Sequence, residues 1–431
     1  MLEPEIIVSE LTGDSYKIFH HPSGLDVLVM KLEGFTTVEA LFATKYGSVN
    51  NCFRTTDTGD FIRVPDGIAH YLEHKLFENE DCGVFELYAK TGASANAFTS
   101  FNSTAYLFSC SSDYRKPLSI LLDFVQAPHF TQENVDKERG IIAQEIKMTN
   151  DSPMRALFFE LINSLYHNHP VKIDIAGTVE SINDITPELL YKCYNTFYNL
   201  HNMVLAIAGN VDEEEVIRIC DEHLKPVEDK KLESFFEPEP EDVVRRRSVI
   251  KRQVGTKVFA LGFKCKPLKG EEMFRRGTAF EVLFAMLYGP LTRWYQDATE
   301  DGVINSTFGP EVFSSSSGYF ACVLEGESRD PEAAYQRICQ RLEDARTEEL
   351  DEELFKTIQR GKYGSDVMRF NNVTECAETM CMNYLEGAGA FAQINAMSEL
   401  TLDDLKEALS ELSLERSAFC IVEPDDTVPE Q

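Results

Sequence analysis

The chain has 431 residues, of which 43% are hydrophobic and 26% are charged, a composition typical of globular proteins that excludes a disordered chain. This length exceeds what one hydrophobic core usually serves and predicts two domains or more. With 72 acidic and 41 basic side chains the net charge is −31, so the surface would repel nucleic acid and anionic membranes. Such a surface either attracts cationic peptides or simply belongs to an acidic cytosolic protein.

Cysteine usage and the N-terminal sequence indicate the compartment. The eleven cysteines show no C-x-x-C spacing, which argues against a disulfide framework and a cysteine zinc cage and is typical of a reducing compartment. The first ten residues, MLEPEIIVSE, are acidic and lack the apolar segment of a signal peptide. No apolar run reaches the roughly 18 residues of a spanning helix. We therefore expect a cytoplasmic protein without a membrane or nucleic acid partner.

The first half of the chain mixes strands and helices. Alternating apolar residues predict a hairpin at 14–31. A further strand is predicted at 36–46. A short helix containing His70 follows, then a second short helix at 83–91. Small residues with Thr, Phe and Tyr at 92–110 predict two strands. The remaining elements are helices at 112–127, 131–149, 152–166, 186–197 and 211–224 and a buried strand at 201–209.

The pattern is interrupted and then restarts. Residues 225–245 are rich in Pro, Glu and Lys, with little periodicity, and predict a linker. After it come a strand, a long helix at 270–298, a strand pair at 303–312 and 317–325, several helices, and a last strand at 416–422. The two halves therefore share one succession of elements.

This similarity of the halves predicts the architecture. We expect an α+β protein of two related domains, each an antiparallel-rich mixed sheet covered by helices. The N-terminal domain spans 1–228, the linker 229–246, and the C-terminal domain 247–431. The repeat lies in the pattern of elements and not in residue identity.

The segment from His70 to His74 reads H-x-x-E-H. On a helix, residues four apart lie on nearly one face, so both histidines can bind one metal ion, with Glu73 beside it. Two neutral imidazoles and a carboxylate suit zinc, which needs a third protein ligand from elsewhere. Alone, this pattern equally describes a surface helix turn. Asp66 is expected to cap the helix, and an apolar stripe would pack it inwards through Ile68, Leu72 and Leu76.

Two further segments carry candidate site residues. The helix predicted at 131–149 places Glu138 and Glu145 seven apart, two turns along one face. Taken alone, this pair describes a solvated helix surface. The strands at 92–110 are either a plain hairpin or an edge that accepts an extended peptide by backbone pairing.

The H-x-x-E-H motif together with ERGIIAQE at 138–145 resembles the pitrilysin/insulinase (inverzincin) family of zinc peptidases, which includes the mitochondrial processing peptidase subunits. The stretches SANAFTSFNSTAY and HPVKIDIAGTVESINDIT are also similar to that family. HYLEHKLFE followed by GASANAFTSF most resembles its YmfH-like bacterial subgroup. The resemblance covers nearly the whole chain and implies the processing-peptidase/LuxS-like metallohydrolase fold.

The resemblance also implies roles for the candidate residues. His70, His74 and Glu145 would bind one Zn²⁺ per chain. The catalytic carboxylates would be Glu73, as the general base, and Glu138, which supports a ligand. The activity implied is that of a zinc metalloendopeptidase.

The substrate is expected along the small-residue strand. Asn96 and Ala97 match the family's peptide-binding positions, so they are the predicted substrate-binding residues. In this family the domains enclose a chamber, and size exclusion favours short or unfolded peptides.

One departure from the family concerns the C-terminal domain. Active members place an arginine and a tyrosine there, seven residues apart, which bind substrate and stabilise the oxyanion. Matching on Gly302 puts Ala298 and Asn305 at these positions, with Arg293 and Tyr295 out of register. By analogy with two-subunit relatives, we expect a heterodimer in which a metal-free paralogue supplies the arginine and tyrosine.

Two other functions stay open on the sequence. The chain could be a non-catalytic structural subunit, although such subunits tend to lose the metal-binding residues that are intact here. It could also be a maturation or modification factor associated with elongation factor P, which no residue in the sequence indicates.

Overall fold

The computed structural model describes residues 2–55, 59–78 and 83–425. In chain order the strands are β1 (Glu5–Val8), β2 (Ser15–His20), β3 (Asp26–Lys31), β4 (Val38–Thr44), β5 (Cys52–Thr55), β6 (Ile62–Arg63), β7 (Ser94–Thr99), β8 (Thr104–Cys110), β9 (Met203–Gly209), β10 (Leu232–Ser234), β11 (Arg247–Arg252), β12 (Val258–Lys264), β13 (Gly309–Ser315), β14 (Tyr319–Glu327) and β15 (Ser417–Pro424).

The helices connect and cover these strands. In chain order they are α1 (Ile68–Leu76), α2 (Val84–Ala89), α3 (Arg115–Val125), α4 (Gln132–Asn150), α5 (Pro153–Leu165), α6 (Pro187–Phe197), α7 (Glu213–His223), α8 (Gly270–Tyr288), α9 (Arg293–Glu300), α10 (Pro331–Ala345), α11 (Glu352–Arg369), α12 (Val373–Glu386), α13 (Ala392–Glu399) and α14 (Leu402–Glu411).

The chain folds into two compact units. Unit 1 comprises Met1–Ile146, Ile173–Phe236 and Val367–Phe391, and unit 2 comprises Lys147–Lys172, Glu237–Asp366 and Ala392–Gln431. Each unit takes one segment from the opposite half of the sequence, so the units do not follow the contiguous segments 1–228 and 247–431. The predicted linker 229–246 crosses from unit 1 to unit 2.

Unit 1 is built on a seven-stranded sheet with the order β1-β2-β3-β9-β4-β8-β7. Its neighbouring strands are antiparallel except for β3 and β9, which are parallel. A small second sheet has the order β10-β5-β6. Strands β4 and β9 are buried along their whole length, which explains why β9 reads as a continuous apolar run, whereas β4 also buries the polar side chains of Glu39 and Thr44.

Unit 2 has a five-stranded sheet with the order β11-β15-β12-β14-β13. Only β11 and β15 run parallel among its neighbouring strands. Helices α8, α10 and α14 pack around a core that includes Phe259, Phe280, Ile338 and Phe419. Both units are therefore antiparallel-rich mixed sheets packed with helices, which confirms the predicted fold class.

The segment that each unit takes from the opposite half of the sequence contains a helix, α5 in unit 2 and α12 in unit 1. Helix α5 packs on β12 and β15 in unit 2, where Leu161 and Leu165 lie against Gly262. Helix α12 packs on β4 and β9 in unit 1, and its Tyr384 hydroxyl donates to Asp26 at the start of β3. Periodicity shows that such a helix has an apolar face, but it does not show which sheet that face covers.

Several predicted elements differ in the structure. The predicted helix at 270–298 is two helices, because Pro290 lacks an N–H and forces the preceding Gly289 into an extended conformation (ψ 166°). The strand predicted at 303–312 begins only at Gly309. The short strands β1, β5, β6, β10 and β11 were not predicted, because most of them are too short to show a periodic pattern.

The cysteines and the longest helices can be compared with what the composition predicted. Every cysteine in the described part of the chain is a free thiol. None of the helices traced in that part is both long and apolar enough to cross a bilayer.

A buried carboxylate anchors the linker in unit 2. Glu239 accepts hydrogen bonds from the backbone N–H groups of His167, Asn168 and His169 (2.7–2.8 Å) and from Lys264 Nζ (2.6 Å). Both side chains of this ion pair are largely buried, at 13% and 6% exposure. Burial by itself would raise the pKa of Glu239, but Lys264 and the backbone donors bring the pKa below its ordinary value.

We expect Glu239→Gln to destabilise unit 2 by about 2–4 kcal/mol, because it leaves the buried Lys264 ammonium without its counter-charge. Urea denaturation should show the loss, and hydrogen–deuterium exchange should show faster exchange at the N–H groups of residues 167–169. The control is Glu241→Gln, in the same segment but with its side chain 92% exposed, which should change stability by less than about 0.5 kcal/mol. Equal losses in the two variants would contradict the role given to Glu239.

Candidate metal centre

Two glycines determine where α1 begins. Gly67 (φ 92°) and Gly177 (φ 72°) lie on two segments of the chain that approach each other closely. A Cβ on Gly67 would lie 2.4 Å from the backbone oxygen of Ala176, and a Cβ on Gly177 would lie 2.4 Å from that of Asp66. Gly67 is the N-cap and makes no side-chain cap. The expected Asp66 cap is therefore wrong, and its Oδ1 instead accepts from Asn51 Nδ2 (2.9 Å).

Helix α1 is held by its apolar stripe and by α4. Ile68, Leu72 and Leu76 are buried, as predicted. The Tyr71 hydroxyl donates to the backbone oxygen of Val135 in α4, and burial raises the pKa of Tyr71 to about 12. The predicted site residues of α1 and α4 are thereby brought against one another.

Three side chains converge between these helices. The Nε2 atom of His70 lies 3.6 Å from Glu145 Oε1, and the Nε2 atom of His74 lies 3.6 Å from Glu145 Oε2. One donor atom from each residue lies within 4.8 Å of the other two. A tetrahedral zinc ion with ligand distances of about 2.0–2.1 Å separates its ligand atoms by roughly 3.4 Å. The donor set and its spacing fit zinc.

Glu138 orients one of these imidazoles. It is buried (6% exposed), and its Oε1 lies 3.0 Å from His74 Nδ1, which leaves Nε2 directed at the cluster. Such a carboxylate–histidine pair fixes the tautomer of a metal-binding histidine. The Nδ1 atom of His70 is buried and has no hydrogen-bond partner in the described residues, so packing holds that ring.

The carboxylates around His74 act on the pKa of its imidazole. Burial lowers the pKa of His74, but the hydrogen bond with Glu138 and the charges of Glu73, Glu138 and Glu145 raise it above its ordinary value. Burial raises the pKa of Glu138, yet the hydrogen bond and charge of His74 bring it below its ordinary value. The site therefore favours positive charge.

A residue that the sequence analysis missed binds Glu73. The Thr99 hydroxyl, at the end of β7, donates to Glu73 Oε2 (2.6 Å), and Glu73 is only 8% exposed. A signal was present, because the period-two pattern of a strand places Thr99 on the same face as Ala95 and Ala97, which pack against the core. A polar residue continuing that small-residue face indicates a buried polar partner.

The predicted substrate-binding residues lie on an edge strand. Strand β7 is the terminal strand of the unit 1 sheet and pairs with β8. The backbone N–H of Ala97 donates to Asn96 Oδ1 (2.9 Å). The region is therefore a hairpin, as predicted, and its outer strand ends the sheet.

The residues at the family's arginine and tyrosine positions lie in unit 2. Ala298 is fully buried in α9. Asn305 donates to Glu327 Oε2 (2.8 Å) and accepts from Thr307. Arg293 is exposed and paired with Asp297. Neither Ala298 nor Asn305 can supply a guanidinium or a phenol.

Comparison with known proteins gives concordant results. The model of the insulinase family (peptidase family M16) matches residues 57–179. The model of the peptidase M16 inactive domain matches residues 184–362.

Individual relatives cover nearly the whole chain. A Bacillus subtilis (strain 168) protein named the uncharacterized zinc protease YmfH is 38% identical over 408 residues, 93% of this chain and 95% of that protein. The crystal structure of a putative M16-like peptidase from Alicyclobacillus acidocaldarius has a TM-score of 0.90 and 34% identity and covers 98% of this chain and 99% of its own. A Helicobacter pylori protease structure, at 20% identity, shares the fold with a TM-score of 0.81 over 98% of this chain and 100% of its own.

Proposed function

Because this chain belongs to the insulinase family of peptidases (M16), we propose that it is a zinc metalloendopeptidase that hydrolyses peptide bonds in short or unfolded peptides. The observation that carries this proposal is the convergence of the two Nε2 atoms of His70 and His74 on the carboxylate of Glu145. Glu73 lies on the same helix, one residue before His74.

The proposed metal site holds one zinc ion per chain. His70, His74 and Glu145 would bind the ion, and Glu138 would hold His74 in the required tautomer. A zinc ion bound there would supply Lewis-acid polarisation of the substrate carbonyl and a lower pKa for the attacking water. The names of the zinc protease relatives and the donor spacing support this assignment.

Glu73 is the proposed general base. Its Oε2 is engaged by Thr99, and its Oε1 carries no hydrogen bond from the described residues. Oε1 can therefore accept a proton from the attacking water and pass it to the leaving amine. The burial of Glu73 lowers the local dielectric and strengthens the hydrogen bonds of its carboxylate.

The substrate is proposed to bind as an added strand on β7. An extended peptide pairs with a free sheet edge through backbone hydrogen bonds, which gives loose sequence specificity and requires an unfolded segment. The N–H of Ala97 is now bonded to Asn96 Oδ1. A substrate carbonyl would replace that oxygen and free the Asn96 amide to contact the peptide.

The proposed active form is a heterodimer with a metal-free paralogue. Neither Ala298 nor Asn305 can bind an oxyanion as the arginine and tyrosine of the family do. A paralogue that carries both would complete the site, and peptide substrates would be cleaved only by the pair.

The test measures zinc content and peptide hydrolysis of the purified chain, alone and mixed with a candidate metal-free paralogue from the same genome. The probe is an unstructured, cationic fluorogenic peptide, and the comparison substrate is a stably folded protein. We expect about one zinc per chain and cleavage of the peptide by the mixture alone. Full activity without the paralogue would overturn the proposal of a heterodimer. Absence of zinc would overturn the proposal that the chain is a zinc peptidase.

We expect Glu138→Gln to weaken zinc binding about 10–100-fold without abolishing it, because the carboxylate acts on the metal only through His74. Competition with a chelator of known affinity measures the change. Unaltered zinc affinity would mean that Glu138 does not orient the ligand.

A further inference from the structure

The hydroxyl of Thr99 joins the proposed substrate strand to the proposed base. Its donor–acceptor distance to Glu73 Oε2 is 2.6 Å across 26 residues of sequence. Because an ionised carboxylate only accepts hydrogen bonds, Thr99 must be the donor. A hydrogen bond of this length to a charged acceptor is of the strong, charge-assisted kind.

The neighbouring hydroxyl does not compete for this proton. Thr104, opposite Thr99 on β8, lies 3.4 Å from Thr99 Oγ1 and donates instead to the backbone oxygen of Tyr46 (2.8 Å). The proton of Thr99 is thus directed to Glu73.

The strand that carries Thr99 also carries Ala97, two residues earlier. A peptide bound along β7 is therefore held by the same backbone that holds the Glu73 carboxylate. Ala95 and Ala97 have small side chains and pack against the core, which lets α1 approach β7 closely. The position of the Glu73 carboxylate relative to a peptide bound along β7 then depends on β7 alone.

From this geometry we infer that Thr99 is a positioning residue: its hydroxyl fixes Oε2 of Glu73 so that Oε1 faces the attacking water. The inference rests on the proposed function and adds a residue to it. Without the hydroxyl, the Glu73 carboxylate can rotate about its terminal torsion angle, which has a broad distribution in glutamate side chains. A misplacement of about 1 Å in such a group can cost about 100-fold in rate.

The test compares Thr99→Val, which has nearly the same shape without the hydroxyl, with Thr99→Ser, which keeps the hydroxyl. We expect Thr99→Val to lower kcat about 10–100-fold with KM changed less than about threefold, and Thr99→Ser to restore most of kcat. Zinc content should be that of the wild type in both variants. The matched control is Thr104→Val, which removes a hydroxyl from the same hairpin and should affect stability more than kcat.

A second readout does not depend on activity. Crystal structures of the wild type and Thr99→Val, both as purified, should show the Glu73 carboxylate rotated in the variant. An unmoved carboxylate, or equal losses of kcat in the Val and Ser variants, would overturn the inference. If the wild type hydrolyses no peptide with or without the paralogue, the proposed function fails, and the crystal structures still decide whether Thr99 positions Glu73.

Discussion

Replacement of Glu73 by Gln should abolish peptide hydrolysis and leave zinc in place. Gln has nearly the shape of Glu and can still accept the Thr99 hydrogen bond, but its amide cannot take a proton from water. General-base catalysis contributes about 10²–10⁴-fold, so kcat should fall by about that factor. Steady-state hydrolysis of the fluorogenic peptide and metal analysis of the same sample measure the two quantities.

The control for this substitution is Glu86→Gln, at an exposed position in the first turn of α2, which should keep wild-type kcat. If Glu73→Gln loses zinc along with activity, Glu73 has a structural role in the metal site. If Glu73→Gln retains activity, the general base is another group.

The second large effect is expected at Glu145. Glu145→Gln removes the charged member of the donor set, whose two oxygens each lie 3.6 Å from a histidine Nε2. Loss of an indirect carboxylate partner alone costs about 10–100-fold in metal affinity, so loss of this direct ligand should exceed about 100-fold. The variant should be purified without zinc and without activity.

The matched control is Glu133→Gln, an exposed glutamate in the first turn of the same helix, which should keep zinc and activity. Competition with a chelator ranks the affinities as wild type, then Glu138→Gln, then Glu145→Gln. A Glu145→Gln variant with wild-type zinc affinity would exclude Glu145 as a ligand. If Glu138→Gln had the lower zinc affinity of the two variants, Glu138 would be the ligand and Glu145 the residue that supports it.

Part of the metal site was predictable from local geometry. The spacing of His70 and His74 requires only that the segment be helical, because residues four apart on a helix always share a face. The buried stripe of α1 followed from the same periodicity. Glu145 was different, since a glutamate on another helix is one of many, and only resemblance to a family singled it out.

The fold was predictable to a similar depth. Alternation and helical periodicity gave the α+β class, the 92–110 hairpin and most helices, because each pattern reflects burial of one face of a local element. The break at Pro290 was missed, although its cause is local. The short edge strands β1, β6, β10 and β11 were missed because none of their residues is buried.

What only the tertiary structure decided is which parts of the chain meet. The bond from Thr99 to Glu73, the anchoring of Glu239 by three backbone N–H groups and Lys264, and the packing of α5 and α12 on sheets formed mainly by the opposite half of the sequence all join distant residues. The sequence by itself determined the local elements and which of their faces are apolar. It did not determine the partners of those faces, because an apolar stripe or a hydroxyl gains similar free energy from any complementary neighbour, and the packing of the whole chain selects among them.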